Sequence, residues 1–305
     1  MDLIEKNLLK EIADLHEIPT GAYNIRRNGE SAGRSSTEHI IISSKNDKPG
    51  IDITILPNTK NESVHIPVVL TQSGLTDTVY NDFYIGENCD VVIVAGCGIH
   101  NSGCETAKHD GIHTFHVGKG AVVRYVEKHY GQGEGEGKNV MNPQTVIHLE
   151  EGASMELETT QIGGVDSTER KTVAHVGDNA SLVIREKLLT EGVQSAVTDF
   201  TVNLDGENSS TDVVSRSVAK NRSHQEFVSR INGNNLCSGH TECDAIIMDE
   251  ATVLAVPEVL ANHVNASLIH EAAIGKIAGE QLMKLMTLGL SEEEAEAQII
   301  AGFLK

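Results

Sequence analysis

Two groups of sulfur- and nitrogen-bearing side chains carry the chemistry this chain could perform. The first crowds Cys97, His100, Cys104, His109, His113 and His116 into twenty residues, with Cys89 just upstream. Thiolate and imidazole suit soft and borderline metals, and four of them would close a zinc site, but the spacing matches no zinc-finger template. Taken singly, His113 and His116 read as solvent-facing strand residues and Cys97 as a small buried hydrophobe. As a group they remain candidates for holding metal or sulfur. The second group is Cys237, His240 and Cys243, followed beyond Pro257 by His263, His270 and Glu271. Residues 270 and 271 fall in an apolar run that reads as helical. Helix neighbours diverge by about 100°, so the pair would not serve one ion from one chain. On that reading Glu271 is solvated and His270 is satisfied locally.

The elements that must position these residues announce themselves as a repeated corner. An apolar residue, two or three turn-formers and a short apolar strand recur in Ile85-Gly86-Glu87-Asn88-Cys89, Val117-Gly118-Lys119-Gly120-Ala121, Leu149-Glu150-Glu151-Gly152-Ala153 and Val176-Gly177-Asp178-Asn179-Ala180, with looser copies at Leu204 and Ile247. Gly or Asn stands where a tight turn needs positive φ, and a small residue follows that can pack inward. The four strong copies begin 32, 32 and 27 residues apart (85, 117, 149, 176), too short for repeated βαβ units and long enough for one rung of a parallel β-solenoid. One rung cannot bury its apolar face alone, so the copies imply a stack.

Along the 305 residues this predicts a mainly β protein, a right-handed parallel β-helix with a short N-terminal helix and a C-terminal helical domain. Residues 1–37 are expected to be helix and linker, 38–256 the β-helix core, and 257–305 the helical domain. Leu3, Ile4, Leu8, Leu9, Ile12 and Leu15 have helical spacing, ended by Pro19 and Gly21. The glycine-rich stretch 131–138 reads as a mobile loop leaving the solenoid. From Val264 onward the pattern reads as helices, with Ser291 and Glu294 forming a capping box. Leu282, Leu285, Met286 and Ile299 exceed what so small a helical unit can bury against itself, which marks them as partner-binding.

A formal charge of −20 without any Lys/Arg cluster argues against nucleic acid and anionic membranes as partners. No run of 18 apolar residues and no signal-peptide pattern occurs, which predicts a cytoplasmic protein. Five cysteines in a chain of this size read as thiols or metal ligands rather than a disulfide framework. Tryptophan is absent and aromatics make up 3%, so Val, Ile, Leu and Ala must build the core. Neither a phosphate loop nor a Gly-x-Ser-x-Gly elbow is present, and the chain reads as neither an ATPase nor an enzyme of another kind.

The run Thr241-Glu242-Cys243-Asp244-Ala245-Ile246-Ile247-Met248, then Val256-Pro257, His270-Glu271-Ala272-Ala273-Ile274-Gly275-Lys276-Ile277, Glu280-Gln281-Leu282, Leu288-Gly289-Leu290-Ser291, Ala295 and Gly302-Phe303 resembles the C-terminal signature of the SufB/SufD family, over roughly sixty residues. These are scaffold proteins of SUF iron–sulfur cluster assembly. Gly96-Cys97, His109 and the Gly120-Ala121 turn fit the family's β-helix region. The chain is shorter than bacterial SufB and is most similar to a compact form that serves with one ATPase.

The resemblance implies a transient iron–sulfur cluster, a SufC-like ABC ATPase docked on the C-terminal helices, a homodimer, and a cysteine desulfurase or other sulfur donor. It implies that Cys243 accepts sulfur or ligates the nascent cluster, that Glu271 is a further ligand, that His270 stands at SufD's functional histidine, and that Cys97 helps sulfur along the barrel. Cys104, His109, His113, Cys237 and His240 are secondary sulfur or metal candidates. The glutamine and tryptophan of SufB's sulfur path are replaced by His129 and Gly131, and no N-terminal CxxC-type motif is present. A scaffold that hands its cluster on should offer few ligands, and one chain bearing Cys243, Glu271 and His270 is incomplete until a two-fold partner adds its own. Two alternatives stand beside this reading: a SufD-like structural subunit without a cluster, and a carbohydrate-active β-helix enzyme, which the scarcity of aromatics disfavours.

Overall fold

At successive corners the backbone passes through the left-handed region, with φ of 55° at Asn88, 65° at Gly120, 69° at Gly152, 54° at Asn179 and 57° at Asn208. The N–H of each of these residues donates to a carbonyl of the next corner along the stack: Asn88 to Lys119, Gly120 to Glu151, Gly152 to Asp178, Asn179 to Glu207 and Asn208 to Leu236, at 2.7–3.0 Å. The corners therefore form a ladder of their own. The small residues that follow, Cys89, Ala121, Ala153, Ala180 and Ser209, are all buried and line its inner side. Ile247 is a different turn: it ends the strand Cys237–Ile247 and leads to the strand Thr252–Ala261, on the opposite edge from the corner ladder.

The computed structural model describes residues 2–305. Helix α1 (Leu3–Ala13) leads into strands β1 (Ala22–Arg27), β2 (Glu30–Ser35), β3 (Ile40–Ser44), β4 (Gly50–Ile55), β5 (Lys60–Leu70), β6 (Thr76–Ile85), β7 (Asp90–His100), β8 (Ala107–Val117), β9 (Val122–Gln132), β10 (Asn139–Met141) and β11 (Gln144–Leu149). They continue through β12 (Ser154–Ile162), β13 (Ser167–Val176), β14 (Ser181–Thr190), β15 (Ser195–Leu204), β16 (Ser209–Ala219), β17 (His224–Gly233), β18 (Cys237–Ile247), β19 (Thr252–Ala261) and β20 (Ser267–Gly275) to helices α2 (Gly279–Thr287) and α3 (Glu292–Phe303).

From β5 onward alternate strands join alternate sheets, one ordered β5-β7-β9-β12-β14-β16-β18-β20 and the other β19-β17-β15-β13, then β10 and β11, then β8-β6-β4. All these pairs are parallel, which with the usual crossover hand makes a right-handed two-sheet solenoid. Hairpins β1–β2 and β3–β4 close the N-terminal end with the only antiparallel pairings among the described residues. The main interior apolar cluster runs from Ala22 to Cys243, and a second gathers Leu70, Cys97, Ile99 and Met141. Helix α1 covers the outer face near that end, burying Leu8, Leu9 and Ile12 against Ile25 and Val69. Among the described residues no helix is long and apolar enough to cross a membrane.

Three expectations about the elements need correction. Strands begin at Ala22, inside the segment expected to be linker, because β1 pairs in parallel with β5. At the other end the solenoid runs through β19 and β20, and helix starts only at Gly279, so neither 257 nor Val264 marks a change to helix. The Ala-rich run 267–275 is compatible with either element; pairing with β18 decides it. The glycine-rich stretch does not leave the solenoid. Gly135 N donates to Asn101 O at 3.2 Å and Gly137 N to Gly103 O at 2.9 Å, and a Cβ at residue 135 or 137 would fall within 2.3 Å of the neighbouring turn's backbone. The glycines permit that close approach. At the C-terminus Ser291 Oγ accepts from Glu294 N as the capping-box pattern requires, and α3 seats Ile300 and Leu304 on Val218.

Candidate functional site

Period-two alternation on β18 sends its odd- and even-numbered residues to opposite faces of the sheet. Cys243 points inward and is 1% exposed, between Ser215 of β16 and Ala272 of β20 in register. One strand further in, Glu186 accepts from Thr198 Oγ1 at 2.8 Å and from Ser215 Oγ at 2.6 Å. Burial, with the negative charges of Glu186 and Asp244, pushes the Cys243 thiol up to about 12. At neutral pH it is a protonated thiol, poorly nucleophilic until its surroundings change.

On the outer face of the same rung stand His240 and Glu242, with Glu271 of β20 directly opposite Glu242. His240 Nδ1 lies 2.8 Å from Asp212 Oδ1, and its Nε2 is 3.8 Å from Glu271 Oε2. One ligand atom from each of His240, Glu242 and Glu271 lies within 4.8 Å of the others. Arg185 pairs with the second oxygen of Asp212 at 2.7 Å. A groove of about 490 Å³ is lined by His240, Glu242 and Asp212 together with Glu158, Lys187 and Arg216.

His270 is on a strand, not a helix, and falls opposite the fully buried Thr241, so it takes the inward side that Cys243 also takes. Its Nδ1 is buried without a hydrogen-bond partner. Within one chain, therefore, the sheet separates Cys243 and His270 from Glu271 and His240. Cys237 pairs in register with Ser209 and continues the column of small corner residues, as Cys89 does at the other end.

In the N-terminal cluster, Cys97, His109 and His113 are buried and Cys104 is exposed. His113 is not the solvent-facing residue expected: β8 presents His109, Gly111, His113 and Phe115 to the interior and His116 to the outside. Burial lowers His113 to about 4, so it is neutral at physiological pH. Around it is a buried polar network. His113 Nδ1 is 2.7 Å from Tyr125 Oη, whose hydroxyl donates to Glu127 at 3.0 Å; Arg170 Nη1 donates to the other Glu127 oxygen at 2.6 Å, and Arg170 Nη2 stands 3.4 Å from His129 Nδ1. Burial alone would raise the Glu127 carboxyl, but Arg170 and His129 hold it well below the usual range. Burial, aided by Asp77 and Glu127, raises the Cys97 thiol well above its ordinary value. Asp77 is bound by Arg26 at 2.6 Å and approached by His109 at 3.3 Å. A cavity of about 20 Å³, the size of one water, lies among Cys97, His109, His113, Glu127 and His129.

Sequence reasoning missed Glu127, Arg170, Tyr125 and Asp77. The alternation of β9 carried a signal, since Val123, Tyr125, Glu127 and His129 share one parity and the first is plainly apolar. In-register pairs place Glu127, Thr159, Glu186, Ser215 and Cys243 side by side on five consecutive strands of one sheet interior. Cys97 lies in the adjacent column, opposite His129.

Comparison with known proteins adds a second line of observation. The family model for the SUF system FeS cluster assembly SufBD core domain matches residues 74–303. An iron–sulfur cluster assembly SufBD family protein of Methanothermobacter thermautotrophicus is 31% identical over 74% of this chain and 55% of its own length. One from Archaeoglobus fulgidus is 30% identical over 85% of this chain and 69% of its own, and one from Pyrococcus horikoshii 27% identical over 83% and 77%. The chain spans little more than half the length of the Methanothermobacter relatives it matches.

Proposed function

The chain belongs to the SufBD family of SUF-system iron–sulfur cluster assembly proteins, and from that membership we propose that it is a scaffold on which a cluster is built as cargo and then released. The observation that carries the reading is the position of Cys243: an inward thiol on β18, one strand from β20, whose far edge pairs with no strand among the described residues. An open edge is a template for a second copy. Two chains meeting there would bring two sets of Cys243 and His270 to one axis on the interior side, which Glu271 would join once the terminal strand is remodelled, and complete a ligand set that a single chain leaves partial. Sulfur from a cysteine desulfurase or another donor would reach Cys243 along the polar column of the sheet interior, with Cys97 near its start. The Glu127–Arg170 ion pair makes that route different in chemistry from the glutamine and tryptophan of SufB.

The driving partner in this reading is a SufC-like ABC ATPase. Helix α2 buries none of its residues, and Met283 and Met286 are 61% and 43% exposed. Leu282, Leu285 and Ile299, expected as contact residues, are half-buried, and the neighbouring Ile300 anchors α3 to the sheet. The exposed side of α2 thus offers the apolar surface, and α3 links it mechanically to β16. Nucleotide-driven movement of two docked ATPases would part the terminal rungs and release Cys243 from the surroundings that keep it protonated.

The test is anaerobic reconstitution with iron and sulfide, read by absorption and Mössbauer spectroscopy. Wild-type protein should acquire a cluster and Cys243→Ala should not, while fold and ATPase binding persist. Normal loading by Cys243→Ala would refute the assignment. A wild-type chain that loads no cluster but binds the ATPase would establish the SufD-like structural reading, which the burial of Cys243 favours.

A further inference from the structure

We infer that His240, Glu242 and Glu271 form an entry site for a divalent first-row transition-metal ion on the outer face of the sheet whose inner face carries Cys243. The identification of that ion as ferrous iron rests on the scaffold reading; the site itself does not. Glu242 and Glu271 are direct cross-strand neighbours in register. Like charges at that separation repel, and a cation between the two would relieve the repulsion; Glu242 also meets Asp244 through a side-chain hydrogen bond, which adds a third carboxyl group to the same face. Among the described residues neither carboxylate makes an ion pair with a lysine or arginine; the one cationic-type group in contact is His240, 3.8 Å from Glu271.

The histidine is held as a metal ligand is held. With Nδ1 turned to Asp212 at 2.8 Å, Nε2 is the ring nitrogen that faces the two glutamates, and an ion bound there takes the place of any proton Nε2 carries. A carboxylate behind a histidine fixes its tautomer and orientation and raises its donor strength, the arrangement found behind most metal-bound imidazoles. Asp212 is itself fixed by Arg185. One imidazole with two carboxylates selects iron, manganese, cobalt or zinc over calcium and magnesium, which prefer oxygen alone. The ligand atoms, within 4.8 Å of one another, need only carboxylate rotation to close on an ion, and the Glu271 side chain, 67% exposed, is free to make it. The groove leaves room for waters to fill the remaining positions, so an ion held here would be exchangeable.

This arrangement gives iron and sulfur separate approaches to the same rung, iron from solvent on the outer face and sulfur from within. The ion and Cys243 would come together when the β18–β20 edge is remodelled. No electron transfer is required for binding, and the only proton lost on loading is any carried by His240 or Glu242.

Anaerobic titration with Co(II), followed by its visible d–d bands and by calorimetry, tests the site on the full chain. One Co(II) per chain is expected. His240→Ala should weaken binding about tenfold or more, Glu271→Gln similarly, and Asp212→Asn about tenfold through loss of orientation alone. Cys243→Ser should bind Co(II) as wild type does, with circular dichroism and melting temperature checking the fold of every variant. Unchanged affinity in His240→Ala and Glu271→Gln would overturn the inference, as would loss of Co(II) in Cys243→Ser, since the metal would then be thiol-bound. Co(II) binding that survives in Cys243→Ser while cluster loading is lost in Cys243→Ala separates this site from the scaffold reading, and each can fail without the other.

Discussion

Glu127 and Arg170 meet inside the solenoid at 2.6 Å, their side chains 4% and 5% exposed. Removing one partner leaves the other charged and buried, so Arg170→Met should lower unfolding free energy by about 3–5 kcal/mol in urea titration, with part recovered in the double variant Glu127→Gln/Arg170→Met. An unchanged midpoint would mean that the pair is solvated. The neighbouring histidines set a pH limit. Burial lowers His113 from its ordinary 6.5 to about 4 and lowers His129 as well. A folded-state value below the unfolded one means that the unfolded chain takes up protons first. The stabilisation is complete above the ordinary histidine range and is lost as pH falls through it toward 4, the His113 share being about 3 kcal/mol. Stability measured from pH 8 to pH 4 should show this decline, and a flat profile would contradict the buried, neutral assignment. Glu127, held below the usual carboxylate range, keeps its contribution until lower pH.

At the level of elements the corners do the specifying. Asn88, with φ of 55° and its N–H bonded to Lys119, occupies a conformation that costs a β-branched residue about 1–2 kcal/mol. Asn88→Val should destabilise by about that amount, whereas Asn88→Gly should stay within a few tenths; equal effects of the two in thermal unfolding would show that the side chain, not the turn, matters. These corners were readable because positive φ restricts residue type sharply. The last strand was not. Ser267–Gly275 alternates Leu268, His270, Ala272 and Ile274 on one side, but Ala and Glu have helical propensity, and nothing local favours strand until β18 supplies an edge to pair with. The His270–Glu271 pair was therefore assigned the wrong angular separation, about 100° on a helix instead of opposite faces on a strand.

At the scale of the whole molecule the two ends differ. The first is closed by hairpins and α1, and the other ends in the open edges of β19 and β20, one on each sheet, with α3 packed to one side. Exposed Leu254, Val259, Leu260 and Ile269 cluster on those final strands. If α2 and α3 dock the proposed SufC-like ATPase, deleting the residues after Gly279 should abolish co-purification with it while leaving the solenoid's circular dichroism largely β. Retained binding would move the contact onto the sheets. Self-association through β20 should weaken in Ile269→Lys, measured by sedimentation velocity, and an unaltered profile would exclude that edge.

The stacked solenoid and its corners were determined by the sequence alone, since a turn that requires Asn or Gly and a small residue after it leaves a pattern that survives without any knowledge of neighbours. Cys243, Glu271, His270 and Cys97 were singled out by the family resemblance that the residue order carries, since residue type alone left Glu271 solvated, His270 satisfied locally and Cys97 a small buried hydrophobe. Which of them share a face was decided by tertiary structure, because facing depends on strand parity and register, and register is fixed by the adjacent rung. The same holds for Glu127 and Arg170, 43 residues apart and on different sheets, whose pairing exists only once the coil has closed. Asp212 behind His240 is a further case: 28 residues separate them, one rung of the solenoid, and only the stacking of β16 on β18 turns an ordinary histidine into an oriented one.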